Sequence, residues 1–313
     1  MIKYYLTKNG KMEMPESPVK DCWISMIHPT EKELKYISEL YNIEDDDIRA
    51  ALDEDEATRI TKEDDYTIII VDIPTTTEEA DGKTRFITLP MSVIFTKDTL
   101  ITVCLESTPI LNLVAKRKDC DTKYKTRLLL QILFENAKHY LKYLKQINKQ
   151  SEQLELILHS SIENSALLEM MQLGRALLYF MTSLKGNSSV LEKLTKASYI
   201  VKYEDDEDLL EDVMIESKQA MEMAETYSGV INGTMDGYAS VISNNMNMVQ
   251  KFLATASVII AVPSIIFDFF GMNLLEDATI PLTTQKYATI VILAVAAVAT
   301  YVAHYYLKHK KNY

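Results

Sequence analysis

Cysteine is scarce in this chain, with Cys22, Cys104 and Cys120 its only members. Their number is odd and none forms a Cys-x-x-Cys pair, which argues against a disulfide framework or a thiolate metal centre and fits a reducing compartment. Cations are outnumbered, 33 Lys and Arg against 45 Asp and Glu, for a formal net charge of −12. Nucleic-acid binding runs on Lys and Arg contacts to phosphate, so DNA and RNA are poor partners. An acidic balance suits cations as partners, or simply solubility. The five histidines, His28, His139, His159, His304 and His309, have no paired ligand spacing. No Walker loop, nucleophile elbow or His-Glu-x-x-His motif is present, so neither ATP-driven transport nor hydrolysis is supported and an enzyme is not expected. Met1 to Tyr5 lacks a basic region followed by a long apolar core, so no signal peptide is expected.

What the chain has is sharply divided. Nearly all of its uninterrupted apolar sequence lies after residue 250. Residues 1–120 read as a mixed α/β domain. Tyr66 to Ile73 and Phe86 to Phe95 are β-branched and apolar, and Thr99 to Cys104 follows the short turn Lys97-Asp98, a succession that predicts antiparallel neighbours. Two short helical patterns lie between Pro29 and Leu52, the first opened by Thr30 with Glu33 in capping-box position. From about Tyr124 glycine and proline become sparse and apolar residues recur at helical spacing through Leu158. Residues 121–204 therefore read as antiparallel helices, with a break near Ser160 to Ser165 and a stop at Gly186-Asn187-Ser188. A third helix starts near Asp205, and residues 205–251 read as a stalk. Continued to Phe270 it would be roughly 100 Å long at 1.5 Å per residue, longer than a compact domain requires. The acidic run Tyr203 to Asp208 reads as a solvated helix start or a loose cation store.

Two segments meet the length rule for membrane spans, Phe252 to Phe270 and Tyr287 to Leu307. The connection at 274–286 carries Glu276, Asp277 and only Lys286, whereas the tail at 308–313 begins Lys308-His309-Lys310-Lys311. The positive-inside rule places the tail, and with it the large acidic N-terminal region, in the cytosol. The expected protein is a multi-pass protein of the cell membrane with both termini cytosolic.

Steps of three and four residues from Asn247 give Asn247, Gln250, Ala254, Ser257, Ala261, Ser264 and Asp268. All are polar or small, and all fall on one helix face. Close helix packing accounts for the alanines and serines. It accounts badly for Asn247, Gln250 and Asp268, because polar groups in hydrocarbon face a wet path or a partner. The stripe therefore reads as pore-lining.

The first span ends in Phe270-Gly271-Met272-Asn273, with Pro263-Ser264 one to two turns earlier, and is followed by a short acidic loop and a basic tail. This arrangement resembles the CorA family of divalent-cation channels, whose signature is an aromatic followed by Gly-Met-Asn (GMN) after the first span. The likeness is specific over roughly 236–313 and architectural elsewhere. It implies an α+β subunit with a cytosolic α/β domain, a long helical stalk and two C-terminal transmembrane helices, the first being the pore helix at 252–273. It also implies a funnel-shaped homopentamer in membrane lipid, with Mg2+ both transported and regulatory. Gly271, Met272 and Asn273 would form the outer mouth, Asn273 offering its side-chain oxygen to a hydrated ion. Gly271 would let the helix end turn, and Met272 would pack, since a thioether is a soft ligand for a hard ion. Ser264 matches a pore-facing Thr and Asn247 an Asn ring at the cytosolic entrance. Asp236 matches the stalk acid of a regulatory metal site shared between subunits, with Asp53 as its candidate partner or, alternatively, a solvated helix end. Two departures bear on ion choice. Asp268 stands where the family usually has a small or apolar residue, and Glu276 and Asp277 stand in for a loop Glu that follows an aromatic.

Three readings follow: a Mg2+ channel gated by cytosolic Mg2+, a Zn2+ (or Co2+/Ni2+) transporter of the same family, and a membrane-anchored scaffold without a pore.

Overall fold

The computed structural model describes residues 1–8, 10–78, 82–160, 164–196, 204–271 and 288–309. They form two compact units, Met1–Met235 and Asp236–Tyr313.

The first unit is built on a seven-stranded sheet of order β2-β1-β3-β7-β6-β5-β4. Its strands are β1 (Ile2–Lys8), β2 (Lys11–Glu13), β3 (Trp23–Ile27), β4 (Arg59–Lys62), β5 (Tyr66–Glu78), β6 (Thr84–Thr96) and β7 (Leu100–Cys104). Neighbours are antiparallel except β3 and β7. The expected succession at 66–104 is β5-β6-β7, with β5 and β6 longer than the apolar runs that announce them. Those runs are continuous because both sheet faces are covered. Ile68 and Ile70 pack with Leu34, Ile37 and Ile48 from helices α1 (Glu31–Tyr41) and α2 (Asp45–Arg49). The intervening Ile69, Val71 and Ile73 pack with Leu128, Val190 and Leu210 on the other face. Strand side chains alternate, so Ile68 to Val71 and Ile73 are all core, to one face or the other.

Helix α1 starts as its sequence announces. The Thr30 hydroxyl accepts the Glu33 N–H, and the Glu33 carboxylate accepts the Thr30 N–H at 2.7 Å. A short helix α3 (Pro109–Ala115) follows the sheet, then α4 (Lys125–Ser160), α5 (Asn164–Lys196) and α6 (Glu204–Gly271).

Two expectations are corrected here. Helix α5 does not stop at Gly186 but continues to Lys196. Gly186 is there for closeness: a Cβ at this position would overlap the Thr58 side chain. The Asn187 amide serves as a clamp, since its Nδ2 donates to the Asp72 carbonyl and its Oδ1 accepts the Asp72 N–H, both at 2.8 Å. Tyr140 and Asn136 of α4 donate to the same carbonyl. Burial, eased slightly by a Ser183 hydrogen bond, raises the Asp72 carboxyl above its ordinary range.

The acidic run at the start of α6 is also more than solvated. The Asp206 side chain is fully buried and accepts from Arg127 Nε of α4 at 3.1 Å, while exposed Asp205 accepts from Nη2 at 3.0 Å. These two acids hold the Arg127 guanidinium pKa above its usual value, Asp205 contributing most.

Arg127→Met leaves the Asp206 carboxylate buried without its cation and should cost about 3 kcal/mol. Loss of exposed Asp205 in Asp205→Ala should cost under about 1 kcal/mol. Denaturant melts of the two variants would separate them, and equal effects would refute the anchoring role. The raised Asp72 carboxyl carries a sign as well. The folded state holds that proton more tightly than the unfolded chain, so its contribution to stability declines as pH rises from the ordinary Asp range through the raised value. Asp72→Asn should therefore flatten the pH dependence of stability across that window, with no loss at neutral pH.

Candidate functional site: the polar face of helix α6

Helix α6 continues through Gly229, Gly233 and Gly237 and through Pro263 to Gly271. Pro263 has no N–H, so it withdraws the ladder donor that would meet the Ile259 carbonyl. Among the described residues, two helices are long and apolar enough to cross a membrane, α6 and α7 (Ala288–His309).

Within the second unit, Asn247, Gln250, Ala254, Ser257, Ala261, Ser264 and Asp268 are all exposed. The partly covered residues of the same stretch are Thr255, Ala256, Ile259, Val262, Pro263, Ile266 and Phe270. At 100° per residue the two sets are centred about 170° apart. Helix α6 therefore has a mostly apolar covered face; the polar stripe lies opposite it, within a wider uncovered surface that also carries Leu253, Val258, Ile260 and Ile265. On α7, Ala296 is buried and Ile292, Ala299, Thr300, Ala303 and Leu307 are partly covered, again one face at helical spacing.

The hydroxyls on α6 are adapted to apolar surroundings. Ser257 Oγ donates to the Leu253 carbonyl at 2.9 Å, and Ser264 Oγ to the Ile260 carbonyl at 3.0 Å. Each proton is used inside the helix, which leaves the oxygen lone pairs to face outward. These two hydroxyls offer acceptors and no obligatory donor, the polarity a cation with its water shell requires.

The remaining sequence-predicted residues are placed as follows. Gly271 is the last residue of α6, helical and exposed, with open space around it. Met272, Asn273, Glu276 and Asp277 lie outside the described residues. Asp236 is exposed on α6. Asp53 is exposed and ends the 3-10 turn Ala50–Leu52, where its Oδ1 accepts the Asp55 N–H at 3.1 Å. Its backbone N–H bonds back to the Ala50 carbonyl, so it stands at the C-cap position of that turn. Of its acidic neighbours, Glu56 pairs with Arg59, and Asp47 accepts from Tyr66 Oη at 2.6 Å. Among the described residues, no three His, Cys, Asp or Glu side chains are grouped to hold a metal. Periodicity did not reveal the Arg127–Asp206 anchor or the Asp72 node, because neither a buried acid nor a backbone clamp alters an apolar pattern.

A membrane protein with a soluble α/β unit, a long helix running into an apolar one and a second apolar helix is the class these features define. The chain matches the family of CorA-like Mg2+ transporter proteins over residues 20–309 and belongs to that family. It is 28% identical over 260 residues to the cobalt/magnesium transport protein CorA of Methanocaldococcus jannaschii, covering 80% of this chain and 79% of the relative. The complete structure of the CorA magnesium transporter from that organism superposes with a TM-score of 0.81 at 23% identity, covering 97% of this chain and 96% of the other. Full-length CmaX matches at 0.73 and 13% identity, over 98% of this chain and 97% of its own. The fold of the whole chain, both apolar helices included, is thus that of CorA. The family is one of transporters, not enzymes.

The two faces of α6 can be told apart in membrane vesicles. The native cysteines are all buried, so background labelling is low. A cysteine at Ser257 or Ser264 should react with a charged, water-soluble thiol reagent, and one at Ile259 should not. Equal reactivity at Ser257 and Ile259 would refute a wet polar face.

Proposed function

We propose that this chain is one subunit of a homopentameric channel in the cell membrane that passes Mg2+ into the cell down its electrochemical gradient. The observation that carries the proposal is the polar face of α6, turned away from the face that its own chain covers. One such helix cannot enclose a pore, and several copies arranged around an axis can. Asn247 and Gln250 would stand at the cytosolic end, Ala254, Ser257, Ala261 and Ser264 along the wall, and Asp268 near the outer end. Mg2+ sheds water reluctantly, so small side chains and hydroxyls would pass it with much of its shell in place. Asn273 would receive the hydrated ion at the mouth, between Gly271 and the loop acids Glu276 and Asp277. The drive is the membrane potential, worth about 2.3 kcal/mol per charge per 100 mV.

Gating follows the same electrostatics. Asp236 on α6 and Asp53 of a neighbouring subunit would share a cytosolic Mg2+. With the ion bound, their repulsion is cancelled and the ring stays closed. When the ion is lost, the ring loosens. Both termini would lie in the cytosol, as the basic tail requires.

A second reading rests on Asp268. A ring of carboxylates at the outer end raises the local cation concentration and alters selectivity. It would suit Co2+, which the name of the curated relative includes, or Zn2+. The scaffold reading leaves the polar face without a purpose.

Mg2+ uptake into proteoliposomes under an inside-negative potential tests the proposal. Wild-type protein should give flux that collapses in Asn273→Ala, and flux of Zn2+ without Mg2+ would favour the second reading. Asp236→Ala should leave the flux intact while weakening its inhibition by Mg2+ on the cytosolic side. Unchanged inhibition would refute the gating role.

A further inference from the structure

The first unit carries two surface features that the transport path does not use. One is a groove of about 660 Å3 between the C-terminal half of α5 and the start of α6. Its floor is apolar, with Leu210, Met214 and Ile215, and Ile215 is 55% exposed. Its rim is acidic, with Glu192, Glu207 and Glu211 all exposed. Among the described residues lining the groove, the one cation, Lys218, is already paired with Glu222 on its own helix at 3.9 Å.

The other is a basic ridge on α4. Lys138, Lys142, Lys145 and Lys149 are all exposed and are spaced by four, three and four residues. At 100° per residue they fall within about 60° of one another. Lys138 lies over the Phe134 ring at 4.2 Å, and none of the four makes an ion pair among the described residues. On a chain of net charge −12, a helix face carrying four cations in line stands out against the rest. Like charges on one face repel and weaken the helix, so the ridge is a cost unless something acidic covers it.

We propose that the lysine ridge of α4 in one subunit docks on the acid-rimmed groove between α5 and α6 of the next, so that the occupant of the groove is a second copy of this chain. The warrant is charge complementarity between two surfaces of one sequence, combined with an apolar floor that water covers poorly. The two surfaces are different, so the contact is heterologous and repeats head to tail, the arrangement that closes into a ring. The proposal rests on the homo-oligomer reading above and adds the residues through which neighbouring cytosolic units meet. The lysine stems would lie on Met214 and Ile215 while their ammonium groups reach the rim carboxylates.

Charge reversal and crosslinking test this in the full-length protein. Wild-type oligomer mass, measured first by light scattering, stands apart from the interface. A monomeric wild type would overturn the oligomer reading and this inference with it. Given an oligomer, Lys142→Glu/Lys145→Glu and Glu207→Lys/Glu211→Lys should each lower its resistance to dissociation, and the four changes together should restore it. Lys142→Cys/Glu211→Cys should give an intersubunit ladder with a short bismaleimide, since the native cysteines are buried. Dissociation that is unchanged by either reversal, with no ladder, would overturn the docking while leaving the oligomer in place. Loss in both reversals without restoration in the combined variant would also overturn it.

Discussion

A carboxylate on an apolar helix must face water or a partner, and the rest of the membrane unit follows from that. Placing Asp268 in hydrocarbon costs about 2.5–3.5 kcal/mol on insertion scales. Asn247 and Gln250, just before the apolar segment, lie on the same side of the helix. The covered face of α6 lies opposite, where Ile259, Val262 and Ile266 are partly covered. Orientation is thus set by what the lipid excludes rather than by any strong contact. The back-bonded hydroxyls of Ser257 and Ser264 make the polar face tolerable during insertion while keeping its oxygens available.

The soluble unit answers a different constraint. A sheet covered on both sides must fix the helices on its faces, and here polar clamps do so within an apolar core. Asn187, Asn136 and Tyr140 converge on the Asp72 backbone, tying α5 and α4 to β5. Arg127 and Asp206 tie the start of α6 to α4.

Much of this was legible in the sequence, for reasons that can be named residue by residue. The Thr30–Glu33 box is a local code and was realised as read. The run at Tyr66 to Ile73 announced a strand because β-branched residues suit a pleat buried on both faces. The family followed from Phe270-Gly271-Met272-Asn273 in its setting between two spans. What misled was residue type taken without context. Gly186 looked like a helix stop, yet it answers a close approach to Thr58, which lies far away in sequence. The acids after Tyr203 looked solvated, yet Asp206 is buried because Arg127, on another helix, reaches it. Neither fact is encoded locally. Of the mouth, only Gly271 is among the described residues.

The measurement that tests the central claim most directly is ion flux through a chain whose polar face has been filled. Ala261 lies mid-stripe, is exposed, and has no role in the covered face. Mg2+ uptake by proteoliposomes of Ala261→Leu, with oligomer mass checked against wild type, asks whether ions travel along that face. The account predicts that flux falls steeply while the oligomer stays intact. Undiminished flux through an intact Ala261→Leu oligomer would contradict it.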